Sequence, residues 1–143
     1  MVRSLAMAVL AGLCLAGSAG ANEDGLGRYS WKNRVFLVFA PRGDPMADEQ
    51  RRILMSDPAE LDERDMVVLM ISEDRVTALH GMAKGVTATA LRRDAGVATD
   101  APFTAVLVGK DGGIKLRAKE PVRAKDLFGL IDGMPMRANE RRR

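Results

Sequence analysis

Cysteine is almost absent from this chain of 143 residues, which contains Cys14 and no other. Thiol–disulfide exchange needs a reactive thiolate, and a disulfide needs two cysteines. Removal of the N-terminal segment would leave neither, so the sequence predicts no redox thiol and no disulfide. Histidine is equally scarce, because His80 is the only one. Zinc sites without cysteine and with one histidine are uncommon, and we expect no metal and no other cofactor.

Aromatic residues and long apolar runs are also scarce. The chain has one Trp, one Tyr and four Phe, and its 22 basic residues nearly balance its 19 acidic ones. Nucleic-acid-binding faces combine a basic excess with interleaved aromatics, so we expect no nucleic-acid partner. The N-terminal apolar run at 5–17 is shorter than the about 20 residues that cross a bilayer, so we expect no transmembrane segment.

The N-terminus has the pattern of a cleavable signal peptide, predicted as residues 1–21. A basic start precedes the apolar run, and small residues surround the cleavage point after Ala21. We therefore predict a periplasmic or secreted protein; a buried N-terminal helix is the alternative. Cys14 lies inside the apolar run rather than at the cleavage point, so a lipid anchor is not expected. The remainder is predicted as one domain, 22–133, followed by a basic C-terminal tail, 134–143.

Two continuous apolar runs predict buried strands joined by a helix. Residues 34–40 and 66–71 are rich in Val, Leu and other apolar types, as in parallel strands that are covered on both faces. Between them, Asp44 and Pro45 suit the N-cap and the first position of a helix, which the Asp-Pro pair at 57–58 ends. This order predicts a right-handed βαβ unit.

The remaining elements follow from shorter patterns. The segment 72–85 mixes charges with small residues and predicts a loop with a marginal strand or turn. Four further elements are predicted: a helix, a strand, a second strand after a Lys-Asp-Gly-Gly turn, and a last helix. They span 87–95, 103–108, 114–117 and 123–132.

Tyr29 and Trp31 precede the first predicted strand. They either anchor a partner on the surface or pack against the edge of the sheet. Packing is favoured, because large aromatic side chains mostly serve the core.

The turn after the first strand resembles the start of a thioredoxin active site. Residues 40–46 read Ala-Pro-Arg-Gly-Asp-Pro-Met where thioredoxins have Ala-Pro-Trp-Cys-Gly-Pro-Cys, so Gly43 and Met46 replace the two thiols. Pro102 precedes a strand as the cis-proline of thioredoxins does, and we expect a cis bond there; an ordinary strand-entry proline is the alternative. The resemblance implies a thioredoxin-like α/β fold, with a mixed sheet of about four strands flanked by helices.

Longer motifs narrow the resemblance to one family. They are Tyr29-x-Trp31-Lys32-Asn33-Arg34, Val38-Phe39-Ala40-Pro41, Glu63-Arg64-Asp65-Met66, Gly109-Lys110-Asp111-Gly112-Gly113-x-Lys115-Leu116-Arg117 and Leu130-Ile131-Asp132-x-Met134-Pro135-Met136-Arg137. They are similar to the cysteine-less thioredoxin-like domain of unknown function found in small secreted bacterial proteins. Animal matrix proteins such as equarin and the sushi-repeat proteins carry a similar domain. The resemblance implies export, a thioredoxin-like fold and no established catalytic residues.

The residues around the thioredoxin-like turn form the candidate site. A helix N-terminus attracts anions, Arg42 adds donors and Asp44 adds a carboxylate. The alternative is that Asp44 only caps the helix and Arg42 is solvated. Beside Pro102, the resemblance implies a groove that holds an extended peptide. The candidate binding residues are Arg42, Gly43, Asp44, Pro45, Met46, Pro102 and Phe103.

We expect a non-catalytic module that binds a peptide or protein partner, and not a thiol–disulfide oxidoreductase. Two alternatives stay open. One is a thiol-independent enzyme that uses Arg42 and Asp44 in the same cleft. The other is a protein that associates with anionic envelope surfaces through the arginine-rich tail, 134–143. Such a run of arginines is more commonly a disordered, solubilising end.

Overall fold

The computed structural model of the protein describes residues 24–143, and the predicted signal peptide lies outside them. A 3-10 helix at Leu26–Tyr29 precedes the first strand. The strands are β1 (Arg34–Phe39), β2 (Met66–Ser72), β3 (Arg75–His80), β4 (Thr104–Val108) and β5 (Ile114–Ala118). The α-helices are α1 (Pro45–Met55), α2 (Pro58–Glu63), α3 (Ala88–Ala95), α4 (Ala124–Asp132) and α5 (Pro135–Glu140). Over these residues, no helix has the length and apolar character needed to cross a membrane.

One mixed sheet contains the five strands of the described residues, in the order β3-β2-β1-β4-β5. β1 pairs in parallel with β2, whereas the other three pairs are antiparallel. The two continuous apolar runs therefore lie side by side as central strands, linked through α1 and α2. The predicted mixed sheet flanked by helices is confirmed, with one strand more than the expected number of about four.

β3 is the additional strand. The sequence predicts a loop with a marginal strand at 72–85, whereas the structure forms a hairpin there and pairs β3 with β2. Glu73, with a φ of 55°, lies in the tight turn between them. β3 has a neighbour on one side only, and its side chains are exposed or half-buried. It therefore lacks the apolar pattern by which a sequence signals a strand.

Helices cover both faces of the sheet, which explains why β1 is apolar from Val35 to Phe39. Val35, Leu37 and Phe39 belong to the core on one face, together with residues of α3 and the 3-10 helix. Phe36 and Val38 belong to the core on the other face, together with residues of α1, α2 and α4. Successive side chains of a strand face opposite sides, so this segment, which is buried on both, is apolar at every position.

A buried glutamine ties α1 to the chain that enters α4. The Gln50 amide donates to the Val122 carbonyl at 3.0 Å, and its Oε1 accepts from the Val122 N–H at 2.7 Å. Gln50 is fully buried, so the two bonds replace those that water would make. They fix α1, whose first residues belong to the candidate site, relative to the segment between β5 and α4.

The C-terminal segment differs from the predicted tail. Residues 135–140 form α5, and Arg137 within it is buried. The reason is electrostatic: the Arg137 guanidinium donates to Asp132 at 3.1 Å and to Glu63 at 2.6 Å. Both carboxylates lie outside the predicted tail, 134–143. Arg141, which follows the helix, begins the exposed end of the chain.

Pro102 also differs from the prediction. No cis peptide bond occurs within residues 24–143, so the bond between Ala101 and Pro102 is trans and the expected cis-proline is wrong. An X–Pro bond prefers trans by about 0.5–1 kcal/mol unless its surroundings impose the other isomer. Pro102 is exposed and enters β4 as an ordinary proline at the start of a strand does.

Candidate functional site

The candidate residues from two distant parts of the sequence meet at one end of the sheet. β1 and β2 end there and β4 begins there. A cavity of about 440 Å³, which we call the groove, lies between the start of α1 and the segment that enters β4. Its lining residues are Asp44, Pro45, Met46, Pro102, Phe103 and Lys119.

Asp44 caps α1. Its Oδ1 accepts from the Met46 N–H at 2.8 Å and from the Ala47 N–H at 3.3 Å, and Pro45, which follows it, has no N–H. The donors that would have attracted an anion are therefore occupied by a carboxylate of the protein itself. This geometry matches the capping alternative for Asp44 rather than an anion site at the helix start.

Replacement of Asp44 by Ala is expected to lower the free energy of unfolding by about 1 kcal/mol, because two N–H groups lose their cap. Glu49 lies on the same helix, is exposed and contacts only Arg52 as an ion pair, so Glu49→Ala serves as the matched control. We expect the control to change stability by less than about 0.5 kcal/mol. Urea unfolding of both variants measures the difference, and equal effects would contradict the capping role.

Arg42 and Gly43 lie outside the groove. The Arg42 side chain is exposed and reaches Glu73 at 3.6 Å. With Gly43 it lines a separate cavity of about 220 Å³, whose other lining residues include Ser72 and Arg75. Gly43 has a φ of 74°, a conformation that favours glycine, and a Cβ there would contact nothing within 4 Å. The structure thus splits the candidate residues into two groups, with Asp44 between them.

The polar atoms of the groove are engaged with one another. The Thr104 hydroxyl donates to the Pro102 carbonyl at 3.0 Å and accepts from the Lys119 ammonium, also at 3.0 Å. Phe103 is buried, whereas Met46 is 43% exposed. The groove therefore offers mainly apolar surface, with the Lys119 ammonium as its cation.

A second polar region lies at the opposite end of β1, and we call it the charge cluster. Its cations are Arg34, Arg64, Lys110 and Arg137, and its carboxylates are Glu60, Glu63, Asp65, Asp132 and Glu140. All four cationic side chains are at least nine-tenths buried. Buried cations are stable only when carboxylates or carbonyls surround them, and here each has both charge and hydrogen-bond partners.

Two carboxylates link the cluster. Asp132 accepts two hydrogen bonds from Arg64, at 3.1 and 2.9 Å, and one from Arg137 at 3.1 Å. Glu140 accepts two from Arg34, at 3.1 and 3.2 Å, and binds Lys110. Each carboxylate thus joins elements that are far apart in the chain, and both lie in the C-terminal part that includes α4 and α5.

These contacts lower the pKa values of two carboxylates and raise those of Arg64 and Arg137. Burial alone would raise the pKa of Asp132, but hydrogen bonds from Arg64 and Arg137 outweigh it, and the pKa lies below its usual value. The same balance, with Lys110 and Arg34 as donors, lowers the pKa of Glu140. Burial opposes the charge on Arg137, yet Asp132 and Glu63 raise its pKa. The hydrogen bonds and opposite charges of the cluster therefore favour the ionised forms of Asp132, Glu140 and Arg137.

A cavity larger than the groove lies beside the charge cluster. It measures about 720 Å³ and lies between the turn that joins β4 to β5 and the junction of α4 with α5. Its lining residues are Arg34, Gly109, Lys110, Asp111, Lys115, Gly129, Leu130, Gly133, Met134, Pro135 and Met136.

Sequence reasoning missed both the cluster and this cavity. The sequence does contain a signal for the charge cluster, in the motifs that carry the family resemblance. They lie at 29–34, 63–66, 109–117 and 130–137. Each of the four supplies a residue to the charge cluster. Charged residues read singly predict a solvated surface, and only their convergence in space changes that interpretation.

The two aromatic residues before β1 have different environments. Packing is confirmed for Tyr29, which is buried and donates its hydroxyl to the Met82 carbonyl at 2.7 Å. Burial raises the pKa of this hydroxyl to about 12, although Arg28 opposes the shift. The prediction that Trp31 packs against the sheet is wrong, because its side chain is exposed (70%) and its φ is 66°. Its backbone N–H donates to the Lys110 carbonyl. A positive φ is uncommon for a residue other than glycine.

The described part of the chain contains no cluster of side chains suited to metal coordination. Within residues 24–143, no three His, Asp or Glu side chains lie close enough together to hold an ion. The carboxylates that do approach one another, in the charge cluster, are bound by arginine and lysine.

A central β1 flanked by β2 in parallel and β4 in antiparallel orientation, with helices on both faces, defines an α/β protein of thioredoxin-like fold. The crystal structure of reduced 2-Cys peroxiredoxin from Plasmodium vivax is similar, with a TM-score of 0.55 and 17% identity over 81% of this chain and 84% of that one. The chain belongs to the family described as domain of unknown function (DUF4174), whose model matches residues 25–140.

One curated relative is coiled-coil domain-containing protein 80 of Danio rerio. It is 27% identical over an alignment of 135 positions, and the match covers 82% of this chain and 16% of that protein. The chain thus corresponds to a small part of this relative. The family assignment agrees with the predicted domain of unknown function, while the resemblance to equarin and the sushi-repeat proteins stays a prediction.

Proposed function

We propose that this protein is an exported binding module of thioredoxin-like fold that acts without thiol chemistry and holds an extended peptide or protein segment in the groove. The observation that carries the proposal is the groove itself, in which the start of α1 faces the Pro102–Phe103 segment across an apolar cavity. Gly43 and Met46 occupy the positions that the thiols of a thioredoxin would take. A thioether does not form disulfides, so the surface can bind but not exchange thiols.

The chemistry of the groove favours an apolar side chain with an acidic neighbour. Met46 is partly exposed, and methionine adapts its shape to different apolar partners. Lys119 supplies a positive charge at the same cavity, whereas the Asp44 carboxylate there is engaged by N–H groups of α1. An extended peptide with a Leu or Phe next to a Glu would match both features.

The enzymatic alternative has less support. Asp44 is engaged as a helix cap, and Arg42 extends towards Glu73 rather than towards Asp44. The two side chains therefore have separate partners and form no catalytic pair with each other.

Export rests on the N-terminal pattern, and the family match, which begins at residue 25, leaves the predicted leader outside the domain. N-terminal sequencing of the protein recovered from its own host tests this part of the proposal. A mature N-terminus at Asn22 supports export, and an intact Met1 in the recovered protein contradicts it.

Binding in the groove can be measured with synthetic peptides of about ten residues, a length that spans a strand-like contact. One peptide contains Leu-Glu at its centre, and a second contains Leu-Lys. With ¹³C-methyl-labelled methionines, the Leu-Glu peptide is expected to shift the Met46 methyl signal and to bind more tightly than the Leu-Lys peptide.

Met46→Asp is expected to weaken binding of the Leu-Glu peptide at least about tenfold, because it places a charge in an apolar contact. Met82→Asp is the matched control, since Met82 is also exposed and is not a lining residue of the groove. Equal effects of the two substitutions, or no shift of Met46 with either peptide, would refute the groove as the binding site.

A further inference from the structure

The cavity beside the charge cluster, which we call the hairpin cavity, has the dimensions of a ligand site. Its volume of about 720 Å³ falls within the range of about 300–1,000 Å³ that small-molecule sites occupy. Leu130, Met134, Pro135 and Met136 supply its apolar wall. Leu130 and Met136 are among the few large apolar side chains of the described residues that remain exposed.

Two glycines keep one wall of the hairpin cavity flat. Gly129 lies inside α4 and Gly133 ends it, four residues apart and thus on one face of the helix. Neither needs glycine for its backbone, because Gly129 is helical and Gly133 has a φ of −80°. A Cβ at Gly129 would meet nothing within 4 Å, and one at Gly133 only backbone atoms at 3.6 Å or more.

Glycine inside a helix is less favourable than alanine, and packing within the protein gives no reason for it here. The absent side chains do, however, enlarge the hairpin cavity, which both glycines line. Gly129 thus lowers helix stability, and both glycines leave room for an occupant.

Arg34 gives a second and independent indication. It lines the hairpin cavity and is 1% exposed, yet its Nε has no hydrogen-bond partner among the described residues. Its other guanidinium nitrogens bind Glu140 and the Arg64 carbonyl. A buried charged donor without a partner is costly, and such groups are commonly completed by a ligand or by water.

The charges on the wall define the chemistry of the occupant. Arg34, Lys110 and Lys115 are lining residues, with Asp111 as the only lining acid. Lys115 is partly exposed, and its contact with Asp111 is a surface pair at 3.0 Å on the same hairpin. Such a pair is weak, so the Lys115 ammonium is able to turn to a ligand at little cost.

We propose that the hairpin cavity is a binding site for a small amphipathic ligand, with an apolar body that packs against Gly129, Leu130 and Met136 and one carboxylate or similar anion directed to Lys115 and Arg34. This site is distinct from the groove, from which it is separated by the length of β1. It therefore stands whether or not the groove binds peptides.

The first test uses decanoate as the probe and measures affinity by calorimetry and by the methyl signals of ¹³C-labelled methionines in the purified protein. We expect Met134 and Met136 to shift, and decanoate to bind at least about tenfold more tightly than decyltrimethylammonium, with neutral decanol between them. Equal affinity for the anionic and cationic probes, or shifts at other methionines only, would overturn the proposal.

The second test separates binding from stability. Gly129→Ala is expected to raise the urea midpoint of unfolding, whereas Gly129→Leu fills the hairpin cavity and is expected to lower decanoate affinity at least about tenfold. Lys125→Leu places the same side chain on the same helix, away from the lining residues, and is expected to leave affinity unchanged. A folded Gly129→Leu variant with undiminished affinity would refute the site.

A free amphiphile and a membrane lipid offer the same chemistry. Co-sedimentation with phosphatidylglycerol vesicles, with and without decanoate, distinguishes them. The hairpin cavity is supported as the site if decanoate competes with the vesicles. It is also supported if the protein binds decanoate but not the vesicles. Two results together would overturn it. The protein would fail to bind decanoate, and its binding to vesicles would be reduced neither by decanoate nor by Gly129→Leu.

Discussion

A chain that ends at Gly133 is expected to lose most of its stability, whereas a chain that ends at Glu140 is expected to keep it. The shorter chain lacks Arg137 and Glu140, and Arg34, which is 1% exposed, loses its carboxylate partner. Breaking a buried ion pair on one side costs about 3–5 kcal/mol, and small domains have about 5–15 kcal/mol in total. The longer chain loses only Arg141–Arg143, which are outside α5 and form none of the described ion pairs.

Urea unfolding followed by circular dichroism measures both truncations against the intact chain. We expect a shift of less than about 0.5 kcal/mol for the chain ending at Glu140. Similar midpoints for the two truncations would contradict the role assigned to α5. The same comparison sets the test of the envelope-surface alternative. If truncation at Gly133 unfolds the domain, the tail has to be tested by removal of Arg141–Arg143 alone.

Asp132→Asn is expected to lower the free energy of unfolding by about 3 kcal/mol at neutral pH. The amide cannot accept all of the hydrogen bonds that Arg64 and Arg137 donate, and it leaves both buried cations without this shared charge. Asp126→Asn is the matched control on the same helix, since Asp126 pairs with the exposed Arg123. We expect the control to cost less than about 0.5 kcal/mol, and equal costs would argue against the cluster as a source of stability.

The same carboxylates predict how stability depends on pH. The pKa values of Asp132 and Glu140 are lowered in the folded protein, so their contribution is present above the unfolded values of about 4 and is lost as pH falls through the folded values. We expect the urea midpoint to fall between about pH 5 and pH 2, and to fall less steeply in Asp132→Asn. An identical pH dependence in the variant and the intact chain would contradict this assignment.

Local patterns in the sequence were sufficient for most of the elements. The apolar runs predicted β1 and β2, and Asp44 with Pro45 predicted the start of α1, because strand burial and helix capping depend on residues within a few positions of one another. The alternating strand after the Lys-Asp-Gly-Gly turn became β5 at the edge of the sheet. β3 was less visible, because a largely exposed edge strand has no strong apolar pattern.

The sequence by itself therefore determined the order of the central elements, the absence of thiols after the predicted leader, and the turn at 40–46 with its capped helix. Only the tertiary structure decided that Arg34, Arg64 and Arg137 are buried among carboxylates, that α5 belongs to the domain, and that a cavity of about 720 Å³ lies beside them. The physical reason is how far apart in the chain the interacting residues lie. Caps and strand patterns are set by neighbours in the chain, whereas the charge cluster joins residues such as Arg34 and Glu140 across the fold.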